Sequence, residues 1–433
     1  MEAYAATPSP RTTAMDMDKL ISHHLFSLIE TKFLFGTRCL SSGPGTPAPA
    51  FLDGGRVRVL TIDGCAGAAN DALLAAAALA RLEAGLRKQT GDHDARVAEF
   101  FDVAAGAGAG GVLAAMLFLR GPDGRPRYSA QEALAFVAGS VGKDWGAKSR
   151  RWAKLFRRTR SGGGDRVFRR VFGDATLRDT VAPLLVPCYD LATAAPFVFS
   201  RADAVESDAF DFRLRNVCAA TCAVGRDPIA MRSVDGLTAI AAASAGVAGM
   251  SNPAAAAITH VLHNKQEFPH ATGVEDIIVL SIGSGASCGP NTPMPTRSPS
   301  PRDLARVAAE GVADMVDESV AMAFGQACGS NYVRIQASKA PAGAMLGQRN
   351  VESVLFRGRR LSETERTNAE KVDTVAAELV KEQERRRRSP LSNVATKQIG
   401  SPRLSSATTA SSATTTARTA STMASPASWD SRR

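Results

Sequence analysis

The chain has 433 residues, 45% of them hydrophobic and 6% aromatic, and a formal net charge of +10. Such a chain can bury a core of one large domain or two smaller ones, which sets it apart from disordered and fibrous classes. No uncharged apolar run reaches about 18 residues, so no transmembrane helix is expected; the N-terminus lacks a basic start followed by an apolar core, so no secretory signal is expected either.

Residues 1–15 are polar and proline-containing and read as disordered. Residues 16–56 read as an N-terminal helix and linker. Ile21, Leu25, Leu28, Ile29 and Phe33 recur at helical spacing over Asp16 to Phe35, and a Ser/Gly/Pro-rich stretch follows. Val57 to Ile62 is a β-branched strand, and the turn Asp63-Gly64-Cys65-Ala66-Gly67 leads into a helix over Asn70 to Gln89. A strand over Phe100 to Ala105, a glycine turn and an apolar helix follow. Strand, helix, strand, helix at this spacing predicts an α/β fold with a mostly parallel sheet covered by helices on both faces.

Downstream, helices are predicted near Ala130 to Val141, over Pro253 to Leu262, over Arg302 to Gln326 and over Ser362 to Arg388. Strands are predicted at Leu184 to Tyr189, Pro196 to Ser200 and Ile277 to Ile282. The globular domain is thus placed at 57–388, with its motifs between 58 and 262. Residues 389–433 are Ser/Thr-rich and read as a disordered tail.

Charge is unevenly placed. Eleven Lys and Arg fall between Lys143 and Arg170, against Asp144 and Asp165 alone, and Arg385 to Arg388 form a second basic run. Such clusters suit an anionic surface or a solvated face. No aromatic stacking array or nucleic-acid motif accompanies them, so lipid headgroups, bound peripherally through 143–170, are the expected partner and nucleic acid is not. The seven cysteines are scattered and not paired as CxxC, which suits reduced thiols and a cytoplasmic location. Cys218 and Cys222, four residues apart, read as a buried pair rather than a zinc site.

The turn Gly106-Ala107-Gly108-Ala109-Gly110 occupies the strand–turn–helix position of a G-x-S-x-G nucleophile elbow, with glycine where the attacking serine stands. Gly106, Gly108 and Gly111 also satisfy the dinucleotide fingerprint G-x-G-x-x-G. That reading needs another strand ending in an acid about 20 residues on, where residues 121–141 read instead as a turn and a helix. The second turn, Asp63 to Gly67, could aim backbone amides at an oxyanion. The third feature is Ala245-Gly246 leading to Asn252-Pro253, where Asn252 can cap a helix and Pro253 fixes its first turn.

In this order the three features resemble the patatin-like phospholipase family, and within it the plant group III type whose elbow carries glycine in place of serine. The resemblance spans Asp16 to Gln336. Besides the turns it includes Asp18-Lys-Leu, Lys32-Phe-Leu-Phe-Gly36, Asp211-Phe-Arg-Leu-Arg215 and Thr259-His-Val-Leu-His-Asn-Lys265. It implies a Ser–Asp dyad on an α/β-hydrolase-like sheet, an oxyanion loop of the form D-G-G-G-x-x-G, acyl-ester hydrolysis of membrane phospholipids or galactolipids, and neither metal nor cofactor.

Carried over, the nucleophile position is Gly108 and the base position Ala245. The oxyanion loop is Asp63, Gly64, Cys65, Ala66 and Gly67, and the elbow glycines are Gly106, Gly108 and Gly110. The resemblance thus implies a lipid acyl hydrolase scaffold without its dyad. Three substitutes are conceivable from the sequence: Asp235 of Asp235-Gly236 as a displaced base, His260 and His263 as metal ligands, and Ser284 of Gly283-Ser284-Gly285 as another nucleophile. A pseudoenzyme that binds lipid or a partner is the competing expectation.

Overall fold

The structure, a computed structural model, describes residues 55–64, 71–141, 163–223, 229–246, 249–283, 298, 300–337, 342–354, 358–361 and 366–388. The expected disordered termini, the helix at 16–35, most of the basic stretch 143–162, Cys65 to Gly67 and Ser284 lie outside the described residues.

The strands are β1 (Val57–Ile62), β2 (Val103–Gly106), β3 (Leu184–Asp190), β4 (Ala195–Ser200), β5 (Ile229–Arg232), β6 (Ala239–Ser244), β7 (Ile277–Ile282), β8 (Tyr332–Ile335), β9 (Val351–Val354) and β10 (Gly358–Leu361). The helices are α1 (Asp71–Thr90), α2 (Gly108–Phe118), α3 (Ala130–Val141), α4 (Gly163–Phe172), α5 (Arg201–Glu206), α6 (Leu214–Thr221), α7 (Ala254–His263), α8 (Pro301–Phe324), α9 (Ala342–Gly347) and α10 (Asn368–Arg388). This is an α/β fold with a mostly parallel core. In the eight-stranded sheet β2, β1, β7 and β8 run parallel in that order, and β3 adds in parallel beside β2.

Alternation of side chains sorts the central strands between two cores. From β1, Leu60 and Ile62 enter one core with α1, α2, α6 and α10. Val57 and Val59 enter the other, beneath α7 and the end of α8. Both faces being covered, β1 and β7 are buried along their whole length.

The far end of the sheet departs from the sequence reading. β4 and β6 both pair with β3 antiparallel, and β5 pairs antiparallel with β6. β4 lies along residues 185–190 of β3, so β2, at 184–185, and β6, at 188–190, must share the opposite edge. They run towards each other, and the C-terminal ends of β2 and β6 therefore meet at mid-β3. The alanine-rich β6, AIAAAS, has little strand propensity of its own and is held by pairing.

Two boundaries shift for visible reasons. The strand expected from Phe100 begins at Val103, because Val97–Phe100 closes as a 3₁₀ turn and Asp102 is drawn into an ion pair. The last helix, expected from Ser362, begins at Asn368. Thr367 and Glu370 form its capping box: Glu370 accepts from the Thr367 amide at 2.7 Å and Thr367 Oγ1 accepts from the Glu370 amide at 3.3 Å.

α10 closes the molecule against α1. Val372, Val375, Ala376 and Leu379 are buried, and Arg81 holds Asp373 through two bonds of 2.8 and 2.6 Å. At its C-terminal end Arg386 meets Asp102, which also binds Arg58. Burial alone would raise the Asp102 carboxyl, but the two guanidinium groups hold it far below the ordinary carboxylate range. Cys188, Cys218 and Cys222 are buried, as expected for the last two, and burial pushes the Cys188 thiol up to about 12.

Candidate functional site

The elbow is built at the C-terminal end of β2. Gly108 opens α2 with φ +51°, the left-handed conformation that a nucleophile elbow imposes on its central residue. Its amide donates to Thr221 Oγ1 at 2.9 Å, and that hydroxyl donates to the Pro187 carbonyl at 2.9 Å. The turn is thereby pinned to the end of α6 and to β3.

The glycines of this turn do different work. A Cβ on Gly106 would stand 2.5 Å from the Gly110 carbonyl oxygen, and one on Gly110 would stand 2.4 Å from that of Ile62. A Cβ on Gly64 would stand 1.9 Å from the Ala107 carbonyl oxygen. Backbone approaches backbone too closely for any side chain at these three places. At Gly108 the nearest atom to a Cβ is the Gly64 carbonyl oxygen, at 3.2 Å. Of these four glycines the central one alone would take a Cβ with only a small shift of its neighbour, and it carries none.

The three loops singled out in the sequence come together. The Gly64 amide donates to the Ser251 carbonyl at 3.1 Å, and the Met250 amide donates to the Ala245 carbonyl at 3.0 Å. One hydrogen-bonded path thus runs from the Ala245 turn through Ser251 to Gly64, which faces Gly108. Ala245 is fully buried directly after β6, where that strand meets the end of β2. Asn252 accepts from the Ala254 amide at 3.0 Å, the cap expected of it.

Asp63 has a structural partner that the sequence reading missed. Arg334 on β8 reaches across β7, donating to both Asp63 oxygens at 3.0 and 2.6 Å and to Ser281 Oγ at 2.7 Å. Asp317 of α8 lies 3.7 Å from Arg334 Nε and accepts from the Tyr332 hydroxyl at 2.5 Å. Burial works against the Arg334 charge, but Asp63 and Asp317 hold the guanidinium above its ordinary value. This buried pair fixes the entry to the oxyanion loop. The available signal was an arginine on an inward-facing position of a short apolar strand, Tyr-Val-Arg-Ile. Thr221 and Ser251 carried no such signal, since small hydroxyl residues are common in any chain.

The conceivable substitutes stay apart from the elbow. Asp235 sits in the β5–β6 hairpin turn, at the opposite end of β6 from Ala245. Six strand residues separate them, about 20 Å at ~3.3 Å per residue. Its carboxylate accepts from the Leu237 amide at 3.0 Å and from Ser233 Oγ at 2.6 Å, serving the turn. His260 lies 3.8 Å from Glu267 and edge-on to Phe268. No group of three or more potential metal ligands occurs among the described residues. The dinucleotide reading lacks its second strand among the described residues: α2 is followed by a turn and α3, and the next described strand begins at Leu184.

The family model described as Patatin-like phospholipase matches residues 60–235, a span that runs from the second half of β1 through the elbow and α6. The chain is 52% identical over 396 residues to Patatin-like protein 3 of Oryza sativa subsp. japonica, covering 85% of this chain and 92% of that protein. It is 41% identical over 430 residues to Patatin-like protein 7 of Arabidopsis thaliana, covering 89% and 85%. It is 39% identical over 385 residues to Probable inactive patatin-like protein 9 of Arabidopsis thaliana, covering 84% and 93%.

Proposed function

Since this chain belongs to the patatin-like phospholipase family, we propose that it keeps the family's acyl-lipid cleft and has lost the covalent chemistry, acting as a lipid-binding protein that hydrolyses esters feebly or not at all. One observation carries the reading. Gly108 holds the left-handed elbow conformation and carries no side chain, with the Gly64 carbonyl oxygen 3.2 Å from where its Cβ would stand.

Acyl transfer at such a site needs an attacking oxygen and a base within hydrogen-bond reach of it. Gly108 supplies no oxygen, and Ala245, at the end of β6, supplies no carboxylate. The nearest described hydroxyl, that of Thr221, already donates to Pro187 and accepts from Gly108. Loss of a nucleophile leaves roughly the 10³–10⁴-fold contribution of binding and oxyanion stabilisation. The relative whose name calls it probably inactive supports the same direction.

The test restores the missing groups. Wild type and the double variant Gly108→Ser, Ala245→Asp are assayed on a soluble short-chain ester, so that access to a membrane plays no part. Wild type is expected at no more than the roughly 10³–10⁴-fold residual enhancement over the uncatalysed rate, and the variant about tenfold or more above wild type. Stoichiometric labelling of the wild type by a serine-directed fluorophosphonate, together with ester turnover blocked by that label, overturns the reading.

A further inference from the structure

The long helix α8 presents apolar side chains to solvent as well as to the core. Among the described residues, ten large hydrophobics are exposed, and five of them lie on α8: Leu304, Val307, Val312, Met315 and Met322. Leu304, Gly311, Met315 and Met322 follow one another at intervals of seven, four and seven, which places them in one row along the helix. The row is about 27 Å long at ~1.5 Å per residue. Val307 and Val312 flank it. Glu310 and Asp317 fall on the other side, where Asp317 meets Arg334 and Tyr332, and Asp314 lies beside Val307 at the edge of the face. Glu318, half-buried, stands between Met315 and Met322. In a helix lying on a soluble domain the charges ordinarily face water; here a mostly apolar row does.

This row adjoins the candidate site. The carbonyls of Ala309 and Ala313 accept from Ser251 Oγ at 3.1 Å and Asn252 Nδ2 at 3.3 Å. Val312 lies against Gly249, where an added Cβ would stand 3.3 Å from Val312 Cγ1. The loop that bonds Gly64 is therefore carried on α8, the helix that bears the exposed row.

We propose that this face of α8 is the surface by which the protein lies on a lipid bilayer, with Met315 and Met322 entering the acyl boundary and the cleft opening towards the lipid. The inference rests on lipid being the ligand of the cleft. Three features favour a bilayer over another occupant. The row is one helix wide, roughly 300 Å², well short of the ~800 Å² per partner of a stable two-chain interface. It contains no Trp, Tyr or Arg, the residues that anchor protein interfaces. Its exposed side chains, Leu304, Met315 and Met322, are apolar and suit insertion into the apolar boundary, as in helices that lie in the membrane plane. The driving force is burial of apolar surface, so it survives salt, whereas attraction through a basic segment is screened.

Co-sedimentation of the full chain with phosphatidylcholine vesicles, and with vesicles containing anionic lipid, tests this at low and high salt. Wild type is expected to bind both kinds and to stay bound at high salt. Met315→Asp with Met322→Asp is expected to weaken partition about tenfold or more, since each side chain buried in the membrane is worth at least that factor. Met315→Gln with Met322→Gln removes the apolar tips without adding charge and is expected to do the same to a lesser degree. Val205→Asp with Leu237→Asp, exposed apolar residues elsewhere on the surface, is expected to bind as wild type does.

Unchanged binding of both α8 variants overturns the proposal. So does binding confined to anionic vesicles and lost in salt, absence of wild-type binding to any vesicle, or a wild-type dimer that the α8 variants dissociate. The soluble-ester assay of the Gly108→Ser, Ala245→Asp variant does not involve this face, so failure there and failure here are separate results.

Discussion

Gly108 and Gly110 stand two residues apart on one turn and predict opposite responses to the same substitution. Gly110→Ala drives a methyl to 2.4 Å from the Ile62 carbonyl oxygen and 2.6 Å from that of Asp63. Neither backbone can yield without parting β1 from the elbow, so the expected loss is about 3 kcal/mol or more. Gly108→Ala meets Gly64 at 3.2 Å and suffers mainly from φ +51°, a cost of about 1 kcal/mol. Thermal unfolding of the two variants checks the ranking, and an equal or reversed order contradicts the elbow geometry. The same contrast explains how the fold tolerates the absence of a serine: glycine is the residue that holds this conformation with least strain, while the three sterically obligatory glycines cannot be exchanged.

At the scale of elements, β1, β2 and α10 are tied by Asp102 with Arg58 and Arg386, and this tie is acid-sensitive. The Asp102 carboxyl is held far below its unfolded value by the two guanidinium groups, so its contribution is complete above about pH 4 and disappears as pH falls towards the folded value. The contribution is of order 2–3 kcal/mol. Asp102→Asn is expected to lower stability at neutral pH and to flatten the loss between about pH 4 and pH 2. Chemical denaturation across that range measures both, and an acid limb as steep as that of the wild type removes Asp102 from the account. The β5–β6 hairpin is the element that disposes of Asp235 as a replacement base, because a hairpin turn and the free end of its second strand lie a strand's length apart.

For the whole molecule, α10 is the closing piece, joining a core of Val372, Val375 and Leu379 to the charge network at the other end of β1 from Asp63. Burial of those three side chains alone is worth roughly 5 kcal/mol, comparable to the net stability of a domain. A chain ended at Thr367 is expected to lose its cooperative thermal transition, and near-UV circular dichroism with a melt checks it; a soluble product with a sharp melt contradicts the assigned role. Much of this architecture was legible in the chain. The β-branched run at 57–62, the glycine turns and the apolar helices carry local signals that any α/β sheet needs, and the motifs carried the family. The antiparallel additions were not legible, since AIAAAS and IAMR become strands through pairing with β3 and each other rather than through propensity. What the sequence determined by itself was composition at named positions, Gly108 in the turn after β2 and Ala245 after β6. Only the tertiary structure decided that these turns are linked through Ser251 and Gly64, that Arg334 secures Asp63 from two strands away, and that α8 turns its apolar row outward. Those facts depend on strand order and helix rotation, which are set by long-range packing and are not written in any local window of residues.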